Sequence, residues 1–230
     1  LPVPAIEITA LGPTADLDDA VRAAMTADRT VVTSPAGARS LARHVARLGI
    51  EARPRHWAAI GRGTVAALAP LRPADVWRPS EPEARVLAAE LPIEVSERLV
   101  VVRGSLAGDR LERALRARGA DVTTAVLYET REAPAASRSP LASALDRSPA
   151  AVVVASPSGV RGLLALAGDR APDLLALPVV CIGPTTADAA ARAGFATLVQ
   201  ARSPDAASVA DAVASAVPSP ARPILAEVRP

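Results

Sequence analysis

Shifted by 122 positions, one half of the chain falls on the other. Ser34 lands on Ser156, Pro35 on Pro157, Gly37 on Gly159, Arg39 on Arg161 and Leu41 on Leu163. The register then holds without a gap, carrying Ile60 onto Ile182, Gly61 onto Gly183, Thr64 onto Thr186, Ala67 onto Ala189 and Pro82 onto Pro204. Agreement over so long a stretch does not arise by chance, and its period far exceeds the roughly 20 to 50 residues of solenoid repeats. It implies two related domains, which suits 230 residues, enough for two lobes of roughly 100 each.

Within each copy the order is apolar strand, Ser-Pro, amphipathic helix, apolar strand, Ile-Gly and a second helix, the alternation of a parallel α/β sheet. "TVVTS" and "AVVVAS" show no alternation of polar and apolar residues, as expected of strands covered on both faces. Ser34 and Ser156 then stand where a helix N-cap belongs, with Pro35 and Pro157 at the first helical position. Taken alone, either Ser-Pro is simply a good cap.

The first half continues through a buried strand "RLVVVRG" (98–104), a helix "DRLERALRARG" ending at Gly119 and a strand "DVTTAVLY" (121–128). That predicts about five strands there, "DVWRP" being the shortest, against three in the second half at 150–155, 177–182 and 197–200. The same shift puts the second half's missing unit at 220–250, past the last residue, and a three-stranded remnant leaves an open edge. Two segments could fill it: a strand and helix ahead of Leu1, or "RPILAEVRP" at the C-terminus, whose Ile224–Val228 echoes "LVVVRG".

Composition narrows the function. All 26 basic residues are Arg, set among 24 acids for a net charge of +2, and aromatics make up 2%. Neither a basic stripe nor a stacking platform for nucleic acid is expected from that. Cys181, the only cysteine, sits in the apolar run "LPVVCIG" and reads as a buried hydrophobe, so disulfide, zinc and Cys-His chemistry have little support. There is no apolar run long enough to span a bilayer and no leader pattern, which points to a cytoplasmic protein without a membrane partner. His44 reads as lying on the polar side of its helix, His56 as preceding a strand, and the arginine-rich "DRLERALRAR" as a solvent face laced with ion pairs.

Five segments together, "VVTSPAGARSL", "AAIGRGTVAAL", "LVVVRGSLAGDRLERALRARGADVTTAVLYET", "VVVASPSGVRGLL" and "VVCIGPTTADAAARAGF", resemble in order and spacing the uroporphyrinogen-III synthase family, from about Leu1 to Val217. The resemblance implies two flavodoxin-like lobes joined by a two-stranded linker. On this sequence that means a linker strand at 1–10, a first lobe at 11–123, a return linker strand at 124–134 and a second lobe at 135–230. The family's opening strand and helix are absent before Leu1, Ala155 stands where the second motif often has Thr, and Gly63 makes "IGRGT" looser than "IGPTT".

The family cyclises hydroxymethylbilane to uroporphyrinogen III, inverting the last pyrrole ring through a spiro intermediate, with no metal or cofactor. Its substrate is a polycarboxylate tetrapyrrole, so recognition is an anion problem. In parallel sheets anions meet the carboxyl ends of strands, where helix N-termini offer free N–H groups. The candidate binding residues there are Ser34, Gly61, Thr64, Arg103 and Gly104 in one lobe and Ser156, Ser158, Gly183, Thr185 and Thr186 in the other, two sets expected to clamp one guest. Arg110 matches a family arginine that would reach a propionate. Tyr128, the only tyrosine, matches the family's linker tyrosine, the candidate catalytic donor to the departing hydroxyl; a packing residue at a lobe junction is the equal alternative. A monomer is the default expectation. The competing functions are a non-catalytic two-lobed ligand-binding module and a degenerate sensor domain, which fold alone does not separate from the enzyme.

Overall fold

The computed structural model describes residues 1–51 and 54–217. The chain divides into two compact units, Ile8–Thr130 and Leu1–Glu7 with Arg131–Pro230.

In the first unit β1 (Ile6–Ala10, which begins just ahead of it) leads to α1 (Ala15–Thr26), β2 (Arg29–Val32), α2 (Pro35–Leu48), β3 (His56–Ala59), α3 (Arg62–Leu68), α4 (Ala84–Glu90), β4 (Arg98–Gly104), α5 (Arg110–Ala117) and β5 (Asp121–Glu132). The five strands form one sheet in the order β1-β5-β4-β2-β3. β3, β2, β4 and β5 run parallel. Both faces of this sheet are covered, which is why its strands read as unbroken apolar runs. Val32, Val100, Val102 and Ala125 meet Val21, Met25, Leu41 and Val45 of α1 and α2 on one side. Val31, Leu99, Val101 and Val122 meet Leu87 and Leu115 of α4 and α5 on the other.

The second unit follows with α6 (Arg138–Asp146), β6 (Val152–Val154), α7 (Pro157–Ala167), α8 (Ala171–Leu175), β7 (Val179–Cys181), α9 (Pro184–Ala193), β8 (Leu198–Gln200) and α10 (Ala206–Ala216). Its three strands are parallel, in the order β6-β7-β8. Val154, Val179 and Cys181 pack under Leu141, Val160, Leu163, Leu166, Leu174 and Phe195, while Val180 faces Ala212 and Ala216 of α10. Cys181 is a buried free thiol, and burial pushes its pKa up, as expected of a small core residue.

Several expectations change. "DVWRP" does not make a strand: it contributes a single parallel bridge, Ala58 to Trp77, with Trp77 N–H donating to Trp57 O at 2.9 Å. The fifth place in that sheet goes to β1 instead. The strands of the second unit span three residues each, shorter than read from the sequence, and β5 runs on to Glu132. His44 is not on a polar face; it is buried beside Leu41 and Val45, where three- and four-residue spacing puts it on the apolar stripe of α2. Glu112 is equally buried on α5, so that helix is not a solvent face throughout. Its spacing from Leu111 and Leu115 places it on the inward side.

β6 is a sheet edge. Beside it lies an apolar hollow of about 570 Å³ lined by Val152, Val153, Leu145, Leu163 and Leu174 with the Leu1–Pro4 segment. The C-terminal candidate for this edge, Ile224–Val228, lies outside the described residues. Among the described residues no helix is long and apolar enough to cross a membrane, and no three His, Cys, Asp or Glu side chains are grouped to hold a metal ion.

Candidate active site

The repeated Ser-Pro builds the same local structure twice. Ser34 caps α2 with φ −162° and ψ 155°, its Oγ accepting from Gly37 N–H at 3.0 Å. Ser156 caps α7 with φ −161° and ψ 157°, its Oγ accepting from Gly159 N–H at 3.0 Å. Each hydroxyl satisfies one of the N–H groups that a helix start leaves free, and Pro at the first position has none to satisfy. Gly61 and Gly183 likewise begin α3 and α9 in extended conformation without a side-chain cap. Thr64 N–H turns back to Gly61 O at 3.0 Å, and neither glycine offers the remaining helix-start N–H groups a side chain to bond. A side chain at Gly183 would meet nothing within 4 Å, whereas one at Gly61 would press on Pro82 at 3.2 Å.

What differs is the hydroxyl's second partner. Ser156 Oγ shares a hydrogen bond with Ser158 Oγ at 3.0 Å. Ser34 Oγ shares one with the phenol of Tyr128 at 2.9 Å, joining two residues far apart in sequence at the head of α2.

The route by which Tyr128 arrives depends on a bulge. β4 and β5 pair regularly up to Arg103 with Val126, then Gly104 pairs with Tyr128, leaving Leu127 as the extra residue. A bulge of this kind sets two neighbouring residues on one side of a sheet. Leu127 is in the core under α1 and α2, and the Tyr128 ring also lies on the α2 side, within 3.6 Å of where a Gly37 side chain would begin. The carbonyl freed at Leu127 accepts from Ser40 Oγ at 2.7 Å and from Leu11 N–H at 3.2 Å. Beneath the ring is Gly104, where a Cβ would come within 2.5 Å of two ring carbons. Only glycine leaves room for the tyrosine there.

The other expected residues separate into groups. Thr64 and Thr186 are buried, each turned into the packing of its own unit. Thr185 and Arg110 are exposed at the first turns of α9 and α5. Arg103 is largely engaged inside the protein: its Nε donates to Glu112 Oε1 at 2.6 Å and its Nη1 to Gly104 O at 3.2 Å and to Ala107 O. The sequence reading missed Glu112 and Ser40. Both share a helix face with apolar neighbours, Leu111 and Leu115 for Glu112 and Leu41 for Ser40, a signal that their polarity masked. A hollow of about 940 Å³ in the first unit opens at the amino ends of β2, β3 and β4 around the buried Arg29–Glu97 ion pair. It is thus at the opposite end of the strands from the Ser34–Tyr128 pair.

No curated protein matches the chain. Among solved structures it is similar to a mutant uroporphyrinogen III synthase from the extremely thermophilic bacterium Thermus thermophilus, with a TM-score of 0.65 and 21% identity over 94% of this chain and 88% of that one. It is also similar to the uroporphyrinogen-III synthetase of Helicobacter pylori 26695, with a TM-score of 0.59 and 14% identity over 92% and 90% of the two chains. At such identities these likenesses speak for the fold. The family model described as uroporphyrinogen-III synthase HemD matches residues 1–211. With nearly its whole length so matched, the chain belongs to the uroporphyrinogen-III synthase family and is an enzyme that cyclises a tetrapyrrole.

Proposed function

We propose that the chain converts hydroxymethylbilane to uroporphyrinogen III, inverting the last pyrrole ring through a spiro intermediate, and that the Ser34–Tyr128 pair supplies the proton for the step that starts the reaction. In that step the substrate's terminal hydroxyl leaves as water while pyrrole electrons push it out. The protein needs to protonate a leaving oxygen and to hold the chain ends so that inverted closure outruns direct closure. The hydrogen bond between Ser34 Oγ and Tyr128 OH carries the reading. Ser34 Oγ already accepts from Gly37 N–H, so its own proton is free to go to the phenol oxygen, leaving the phenol proton for the substrate. The line Gly37 N–H, Ser34 O–H, Tyr128 O–H starts at the positive end of α2, where such a chain is polarised toward donation.

The substrate's carboxylates would be taken by N–H and O–H groups at the carboxyl ends of strands in both units: Ser34, Gly61 and Gly104 in one, Ser156, Ser158, Gly183 and Thr185 in the other, with Arg110 reaching a propionate. Thr64, Thr186 and Arg103 contribute mainly by fixing these segments. This accounts for an acidic ligand on a chain whose net charge is only +2. No metal or cofactor is called for, because the pyrrole's own electrons drive the loss of water.

The same reading takes the two units as flavodoxin-like copies of one ancestor, joined by linker strands at 1–10 and 124–134 between lobes at 11–123 and 135–230. Near-identical cap geometry at Ser34 and Ser156 supports the duplication. The strand order β3-β2-β4-β5 supports the flavodoxin-like reading of the first unit. The family match weighs against a non-catalytic binding module or sensor.

The test is incubation of Tyr128→Phe with enzymatically made hydroxymethylbilane. Turnover to the type III isomer is expected to fall roughly a hundredfold with the fold intact, type I appearing from uncatalysed closure. An unchanged rate would remove Tyr128 from the chemistry, and type I alone from the unaltered chain would remove the activity.

A further inference from the structure

Behind the floor on which Tyr128 rests, on the opposite face of the sheet, lies a buried polar cluster with no part in the chemistry above. Glu112 is 1% exposed on α5. Its Oε1 accepts from Arg103 Nε at 2.6 Å and from Thr124 Oγ1 at 3.3 Å. Its Oε2 is buried without a hydrogen-bond partner. A buried ion pair adds little net stability over apolar residues of the same size, and a carboxylate oxygen left unpaired makes this one worse still. Stability does not explain it.

Geometry does. The Arg103 guanidinium that Glu112 holds is a rigid planar fork, and its Nη1 ties together the carbonyls of Gly104 and Ala107, the two ends of the loop leaving β4. That loop is stitched to β5 on either side of the candidate site. Ser105 N–H donates to Tyr128 O at 3.0 Å, and Thr130 N–H donates to Ser105 Oγ at 3.3 Å. Gly104 itself is in contact with the tyrosine ring. A displacement of the loop by a few tenths of an ångström therefore moves both the ring's floor and the backbone that carries it.

We infer that Glu112 is a positioning residue for Tyr128: acting through Arg103, it fixes the 104–107 loop and with it the place of the phenol at the head of α2. The inference rests on the reading of Tyr128 given above only where the rate is concerned; the placement of the ring is measured separately. Tyr128 is the chain's only tyrosine, so tyrosine labelled with ¹³C in the ring gives one set of NMR signals.

In Glu112→Gln, which keeps the shape and loses the charge, these signals are expected to shift or broaden. kcat is expected to fall roughly ten- to a hundredfold with KM nearly unchanged. The same substitution in a Tyr128→Phe background is expected to change kcat little further, because its effect passes through the phenol. Ring signals that stay where they were overturn the inference, whatever the rate does, and so does a loss of kcat that is equally large without the phenol. If the ring signals move but Tyr128→Phe alone leaves turnover unchanged, the positioning stands and the proton-donor reading falls. Should Glu112→Gln not fold, Arg103→Lys serves the same measurement, since it keeps a positive charge by Glu112 but cannot bridge the two carbonyls.

Discussion

β2 and β6 occupy the same place in the repeat and end in the same serine cap, yet one is the middle of a sheet and the other its edge. All four residues of β2 are buried between β3 and β4. In β6, Val153, which the shift aligns with Val31, is 47% exposed, against 0% for Val31. What the repeat specifies is therefore local: strand, cap, helix and the angle between them. Burial comes from a neighbour, and β6 has none among the described residues on its outer side. The second copy keeps the geometry of the serine cap with less structure behind it.

The largest difference should appear where the two copies approach other backbone. Ser40 and its counterpart Gly162 both face a peptide group in their own unit. Ser40 does so through a hydroxyl donating to Leu127 O, Gly162 by having no side chain at all. A Cβ on Gly162 would collide with the Ala5 carbonyl and crowd Ala133 N at 3.2 Å, and these two groups are bonded to each other at 2.9 Å. Backbone cannot swing aside as a side chain does. Gly162→Ala should cost about 3 kcal/mol, and Ser40→Ala about 1 kcal/mol for the lost hydrogen bond. Urea unfolding followed by circular dichroism measures both, and equal costs would break the comparison.

A smaller contrast separates the two strands themselves. Val31→Thr places a hydroxyl in a core with no partner and should destabilise by about 2 kcal/mol. Val153→Thr, on the open edge, should stay within about 0.5 kcal/mol. Trp57 and Trp77 both belong to the first unit, so their fluorescence follows the first substitution directly. If Val153→Thr proved as costly as Val31→Thr, β6 would have to be covered after all.

This contrast also marks how far the sequence could be read. Caps and the alternation of strand and helix along each copy follow from residues a few positions apart, and the repeat made both visible twice; the burial of Cys181 follows from its apolar run alone. Tyr128 stands out in the sequence but its route does not, because alternation along β5 would put it opposite Leu127; the bulge that reverses this depends on how β4 and β5 meet. Glu112 and Ser40 are hidden for a related reason. A polar residue on an apolar stripe looks like noise until the partner from another element, Arg103 or the Leu127 carbonyl, is in place. The Trp77 segment misleads the other way: apolar and bounded like a strand, it has only Ala58 to pair with.

His44 sharpens the comparison one step further, since its counterpart in the second copy is Leu166, and both are buried. Neither ring nitrogen of His44 has a hydrogen-bond partner. Burial above all, then the charge of Arg47, hold its pKa below the ordinary 6.5, against smaller opposing effects from the Leu11 backbone and Asp18. At pH well above 6.5 the ring is neutral in both folded and unfolded chains and adds no pH dependence. As the pH falls through 6.5 the unfolded chain takes up a proton that the folded one resists, so stability declines until the buried ring is protonated as well. His44→Leu copies the second unit's solution, and the variant should lose less stability between about pH 7.5 and about pH 5 than the unaltered chain. Urea midpoints from tryptophan fluorescence across that range give the answer, and an unchanged slope would assign the acid sensitivity to other groups.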